Sequence, residues 1–432
     1  MDIELFGLEQ DLKAEGEKVK KYYEEYLEIN KLLGVDEDKY DSLLLEYGTE
    51  DLKYSLSLMT NSLRNVEKKG YKVIDPIFDG LRSSGEYSLG IFIANRIIEK
   101  YKEFEQNSAE SYLIRLHTLK NAIDLLSIKN DKLYYLKYLT EFIDEFYRFI
   151  KLYPIYLEEI YILGTNFYSF LYIYSLTIED NVERALGFII KLYNLRKKMF
   201  EKGILKYPYE HNIYYLINII LVYFRINDEL VKLSIDIYEY INDLEKELST
   251  IKDFIENTQN YRVILSDDLK KYINEVLSTL YSIGFEEEYN RLVSIFPDIL
   301  TKYHKLIIKL YEIDKLESSE AVEKLEKVKE EIDRAFNNLS KEKREIISFL
   351  FFNTYLNHIE EENTKKLKEI REELEKLTEK YDTLNVIKAK LLLKCGERDK
   401  AKEILEREKE KAIISGNKTL QKIIDDYLSS EF

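Results

Sequence analysis

The chain has 432 residues, with 65 Lys and Arg against 81 Asp and Glu, a formal charge of −16. Its 14 Gly and 4 Pro are too few for the turns of a strand-rich sandwich or barrel, or for the glycine-rich turns of a doubly wound nucleotide-binding enzyme. At 45% apolar and 34% charged residues, it is too hydrophobic for disorder, and an all-α protein is expected.

Cys395 is the single cysteine, which excludes a disulfide framework and a multi-thiolate metal site and suits a reducing cytoplasm. The start, MDIELFGLEQ, is acidic and lacks the basic and apolar regions of a secretory signal. The absence of Trp, three Met and a surface built on Lys and Glu resemble the composition of heat-adapted proteins.

Residues 1–90 form an N-terminal helical region that holds eight of the 14 glycines. Helices are predicted over 11–33 and 51–69, with Gly34 and Gly70 placed where left-handed caps belong. The stretch from Gly70 to Gly90 reads as irregular, either a functional loop or a join between helical bundles. Residues 91–316 form a tyrosine-rich second region. Helices are predicted over 89–105, 109–128, 131–152, 155–177, 181–202, 210–226, 228–248, 266–283, 285–295 and 299–314. Their short connections make consecutive helices antiparallel hairpins, and repeated hairpins give an α-solenoid.

Ile160 to Ile178 runs without a charge, but it carries polar and tyrosine side chains and is flanked by Glu158, Glu159 and Glu179. A buried helix of a soluble protein with no membrane contact is therefore expected. Tyr134 to Tyr174 contains 15 Phe or Tyr in 41 residues. The helical spacing of Tyr135, Tyr138, Phe142, Phe146 and Phe149 marks core, with the remainder available to line a groove.

Residues 317–432 differ in surface, with 27 acidic, 24 basic and only three Tyr residues. Leu367, Ile370, Leu374, Leu377 and Tyr381 make a narrow stripe, so that helix packs on one side. Ile346, Ile347, Phe349, Leu350, Phe351, Phe352, Tyr355, Leu356 and Ile359 surround helix 341–359, which should be sandwiched between neighbours. Between 384 and 414, Ala389, Gly396 at a turn, Ala401 and Leu405 follow a pattern that resembles a tetratricopeptide repeat. Asn385, Lys388, Leu392 and Ile413 stand where that pattern has Trp, Leu, Tyr and Pro. The resemblance implies a TPR-like solenoid doing adaptor or assembly work, and helix 418–429 reads as its polar-backed cap.

Enzyme signatures are missing, so neither catalysis nor a cofactor is expected. The string Gly416-Asn417-Lys418-Thr419 lacks the upstream glycine of a phosphate loop. Of the scattered histidines 117, 211, 304 and 358, His358 has Glu361 and Glu362 one helical turn on, which fits either a divalent-ion site or a solvated helix end. Cys395 fits either a reactive thiol or a small packing residue. One strip reverses the local sign of charge: Arg196, Lys197, Lys198, Lys202 and Lys206, interleaved with aromatic residues including Tyr207 and Tyr209. It suits phosphates or an acidic partner, or simply complements a helix C-terminus before Gly203. The function these features favour is a non-catalytic interaction scaffold holding a peptide or protein partner in a groove. The alternatives are a nucleic-acid-binding helical repeat using residues 191–209, which the net charge disfavours, and a regulatory subunit of an enzyme.

Overall fold

The computed structural model describes residues 3–32, 52–103, 108–129, 131–205, 209–227, 235–258, 266–360, 362–415 and 418–431. Among them every regular element is a helix. The chain divides into two compact units, Met1–Tyr240 and Ile241–Phe432. The compositional step at 317 therefore falls inside the second unit, and residues 1–90 belong with those that follow.

In the first unit α1 (Ile3–Leu32) starts well before residue 11. The chain then forms α2 (Leu52–Lys69), a 3-10 turn (Gly70–Val73), α3 (Ile74–Ser83), α4 (Tyr87–Glu103) and α5 (Ala109–Lys129). Gly70 takes the expected left-handed conformation, with φ 71°. The stretch from Gly70 to Gly90 is far more helical than its glycines suggest. Pro76 lies in the first turn of α3, where its missing N–H is not needed. Gly90 is a contact glycine inside α4, because a Cβ there would lie 2.5 Å from Leu125 Cδ1 of α5.

The remaining helices are α6 (Lys132–Leu152), α7 (Leu157–Thr177), α8 (Val182–Glu201) and α9 (Tyr209–Asn227). Sequential neighbours pack together, but α1 packs on α6 and buries Leu8, Leu12 and Val19. That long-range pairing is not written in any connection length. Tyr135, Tyr138, Phe142, Phe146 and Phe149 are all core, as their spacing predicts, and burying each contributes roughly 1.5–3 kcal/mol. The charge-free segment at 160–178 is α7, and no described helix is long and apolar enough to cross a membrane. Of the helix expected over 228–248, residues 228–234 lie outside the described residues. The observed helix is α10 (Ile237–Thr258), and the division between the units falls in its first turn.

The second unit continues with α11 (Asp267–Ser282), α12 (Glu286–Ile295), α13 (Lys302–Asp314), α14 (Ser318–Phe336) and α15 (Lys341–His358). It closes with α16 (Thr364–Thr378), α17 (Leu384–Lys394), α18 (Arg398–Ser415) and α19 (Lys418–Glu431). The stripe of α14, made by Ala321, Leu325, Val328 and Ile332, is buried although charge dominates its sequence. Ser266, Thr301, Ser340 and Asn363 cap their helices by accepting the N–H three residues on, each contributing ~1 kcal/mol. α17 is apolar on two faces because it serves two cores. Leu384, Ile387 and Leu391 face one, and Val386, Ala389 and Leu392 face the other, with Ala401, Leu405 and Ile424.

Candidate functional site

Helix α15 is apolar on two faces, one fully covered and the other only in part, since Phe349 and Leu350 are half-buried against the cores. Ile347, Phe351, Phe352, Tyr355 and Leu356 enter the core of the second unit. Ile346 is instead 47% exposed, and with Phe349 and Leu350 it floors an open groove of about 480 Å³. The expected sandwiching of helix 341–359 thus holds except around Ile346. Ile307 and Tyr311 of α13 and Leu420 and Ile423 of α19 form apolar walls, and Ser278, Thr279 and Ser282 of α11 line another.

Two carboxylates, Glu342 and Glu345, line the same groove. Glu345 Oε1 accepts from Thr383 Oγ1 at 2.6 Å and from the Thr383 N–H at 3.3 Å. Glu342 Oε2 accepts from Ser340 Oγ at 3.2 Å. Among the described residues neither carboxylate takes part in an ion pair. The hydroxyls of the α11 wall are occupied locally, with Ser278 Oγ donating to Asn274 O, Thr279 Oγ1 to Glu275 O and Ser282 Oγ to Thr279 O. The groove therefore presents apolar surface and negative charge.

The basic strip gathers only in part on one face, since Lys191, Lys198 and Lys202 share one at i, i+7 and i+11 while Arg196 and Lys197 do not. Consecutive residues on a helix point about 100° apart, which turns Arg196 inward and Lys197 outward. The Arg196 guanidinium lies 5.5 Å from the Tyr215 ring centroid, and burial lowers its pKa. Lys197 stands 6.0 Å from the Tyr193 ring and Lys202 5.6 Å from the Tyr161 ring. Lys198 is half-buried, Lys197 and Lys202 are exposed, and Lys191 pairs with Asp11 at 2.7 Å. Lys202 is the C-cap of α8 and Gly203 has φ 71°, the geometry of a cationic helix end. Lys206, Tyr207 and the side chain of Tyr209 lie outside the described residues.

A second polar constellation, which sequence spacing did not reveal, lies in the first unit. His117 of α5 is buried, with Nδ1 3.4 Å from Asp75 Oδ2 of α3 and Nε2 3.5 Å from Glu159 Oε2 of α7. Lys120 Nζ and Asn121 Nδ2 donate to Asp75 at 3.2 and 2.6 Å. Tyr71, in the 3-10 turn, donates its hydroxyl to Glu159 at 2.5 Å and its N–H to Glu110 at 3.0 Å. The position of Gly70 beside it favours glycine through its φ of 71°, and a Cβ there would also displace the Glu110 carboxylate. Burial disfavours charge on the His117 ring, but Asp75 and Glu159 outweigh burial and raise its pKa. Against burial, His117 holds both carboxylates below their ordinary values, helped by Lys120 at Asp75 and Tyr71 at Glu159. Burial pushes the nearby Asp124 up to about 6. The cluster ties the turn and α3 to α5 and α7. Its partners come from three separate segments, so no local motif marks it.

His358 is not a solvated helix end. Its Nε2 lies 3.2 Å from the Asp314 carbonyl and 3.5 Å from Asp314 Oδ1, and its Nδ1 lies 3.4 Å from Ser318 Oγ. The ring thus ties the end of α15 to the α13–α14 turn. Glu361 lies outside the described residues. No group of three or more His, Cys, Asp or Glu suited to a metal ion occurs among the described residues. Cys395 is exposed in the α17–α18 turn and not packed in a core. No protein-family model matches the chain, and no curated protein matches it.

Proposed function

We propose that this chain is a non-catalytic interaction scaffold, a TPR-like α-solenoid of helical hairpins that holds a peptide or protein partner in the groove over α15. The observation that carries this proposal is the half-covered second face of α15, where exposed Ile346 and half-buried Phe349 and Leu350 floor an open groove. Apolar residues lining an open groove with polar groups at its edge are the kind of surface that binds a partner. The hairpin of α17 and α18 supports the repeat reading, since Ala389 and Ala401 are both fully buried and Gly396 turns the chain at φ 77°.

The test places a photo-crosslinking amino acid at position 346 and, separately, at position 197 on the basic strip. Each protein is irradiated in native lysate and the adducts are competed with unlabelled protein. A competed protein adduct at 346, lost when Phe349→Glu is added, supports the scaffold. An adduct formed at 197 alone, or nucleic acid recovered there, would replace it with the nucleic-acid reading.

A further inference from the structure

We infer that the occupant of this groove is a cationic amphipathic helix: a peptide segment with apolar residues at i, i+3 or i+4 and i+7, and a Lys or Arg about one turn beyond. The inference rests on the groove being the binding site and adds the chemistry of what it takes.

Three observations on the groove converge. First, Glu342, Glu345, Ile346, Phe349 and Leu350 stand at i, i+3, i+4, i+7 and i+8, one continuous stripe of α15. It is about 12 Å long at 1.5 Å per residue, with both carboxylates at one end and the apolar groups at the other. A helix laid along it meets that stripe with the same period.

Second, the walls offer few free hydrogen bonds to a peptide backbone. The α11 hydroxyls donate to carbonyls of their own helix, and the other walls are mainly Ile307, Tyr311, Leu420 and Ile423. An extended peptide would leave backbone N–H and C=O groups unmatched against this surface, at a cost of ~1–3 kcal/mol each where they are buried. A helix satisfies its own backbone and presents only side chains.

Third, the charge at the polar end is uncompensated. Among the described residues the half-buried Glu345 accepts from the neutral groups of Thr383 and the exposed Glu342 from Ser340, and neither meets a cation. Carboxylates beside apolar surface favour a cation and reject an acidic ligand.

The experiment measures binding of fluorescein-labelled peptides of about 16 residues, ~24 Å as a helix, to the full chain by anisotropy. One peptide carries Leu at the stated spacing with Lys at the charged end, a second reverses Lys to Glu, and a third keeps the first composition with a central proline. The first should bind about tenfold or more tightly than either of the others. Glu342→Lys should weaken it about three- to tenfold and Ile346→Glu about tenfold or more, while both variants keep the native circular dichroism spectrum. Equal binding of the charge-reversed or proline peptide, still sensitive to Ile346→Glu, would overturn the inference and keep the groove as the site. Binding indifferent to Ile346→Glu would overturn both. Self-association lost in Ile346→Glu, seen by light scattering, would make the occupant a second copy and overturn the cationic helix.

Discussion

The first unit closes its buried charges on one another, whereas the second leaves an exposed and a half-buried carboxylate of its groove without a cation among the described residues. In the first, His117 lies between Asp75 and Glu159, Arg115 Nη2 meets Glu145 at 2.8 Å, and Arg184 is bound by Glu15 and Glu179. In the second, Glu342 and Glu345 line an apolar groove without a cation. A charge enclosed by opposite charges on several elements holds those elements together. A charge left beside exposed apolar surface is available to something else. Burial of a titratable group, taken alone, would have pointed to His117, but that ring faces a carboxylate on each side at 3.4 and 3.5 Å, whereas the carboxylates on α15 face apolar surface.

The largest predicted effect sharpens the contrast within one helix. Ile347→Ala opens the core of the second unit, where Ile347 is fully buried, and should cost about 2–5 kcal/mol in a urea melt. His117→Ala should cost about 3 kcal/mol, the low end for breaking a buried charge cluster because Asp75 is partly exposed. The same stability should depend on pH. A His pKa raised in the folded state gives a contribution fully present below the ordinary 6.5 and lost as pH rises through the folded value. Asp75 and Glu159, held low, contribute above their ordinary values of 3.8 and 4.5 and lose that contribution as pH falls through the folded ones. A melting series should therefore show the first unit weakening above about pH 6.5, and His117→Gln should flatten that limb. A limb unchanged in His117→Gln would break the comparison.

Smaller effects follow. Asn363→Ala removes the cap of α16, whose side chain accepts the Lys366 N–H, and should cost ~1 kcal/mol by thermal unfolding. Ile346→Ala, one residue from Ile347 but on the open face, should change stability by less than about 0.5 kcal/mol. If Ile346→Ala destabilised like Ile347→Ala, the groove would be core after all.

Much of the fold is legible in the chain because helix periodicity and the scarcity of glycine act locally. Tyr135, Phe142 and Phe149 could be assigned to the core from spacing, and Gly70 and Gly203 to helix ends. What was not legible depends on contacts between distant segments. The packing of α1 on α6, the helical character of 74–83 and the His117 cluster each need a partner from far along the chain. The groove left one trace in the sequence, the apolar girdle around helix 341–359. That girdle implies covering on both faces, and what it does not mark is the gap at Ile346, since composition says that a face is apolar and not how fully something packs on it. The strip at 191–209 shows the converse, because a run of cations in sequence is distributed around a helix in space.

The measurement closest to the central claim is hydrogen exchange by mass spectrometry on the full chain, with and without the cationic amphipathic peptide. Slowed exchange over residues 342–350 and 420–423, with 196–202 unchanged, is the predicted result. Protection of 196–202 instead, or none over 342–350 at a saturating peptide concentration, would contradict it.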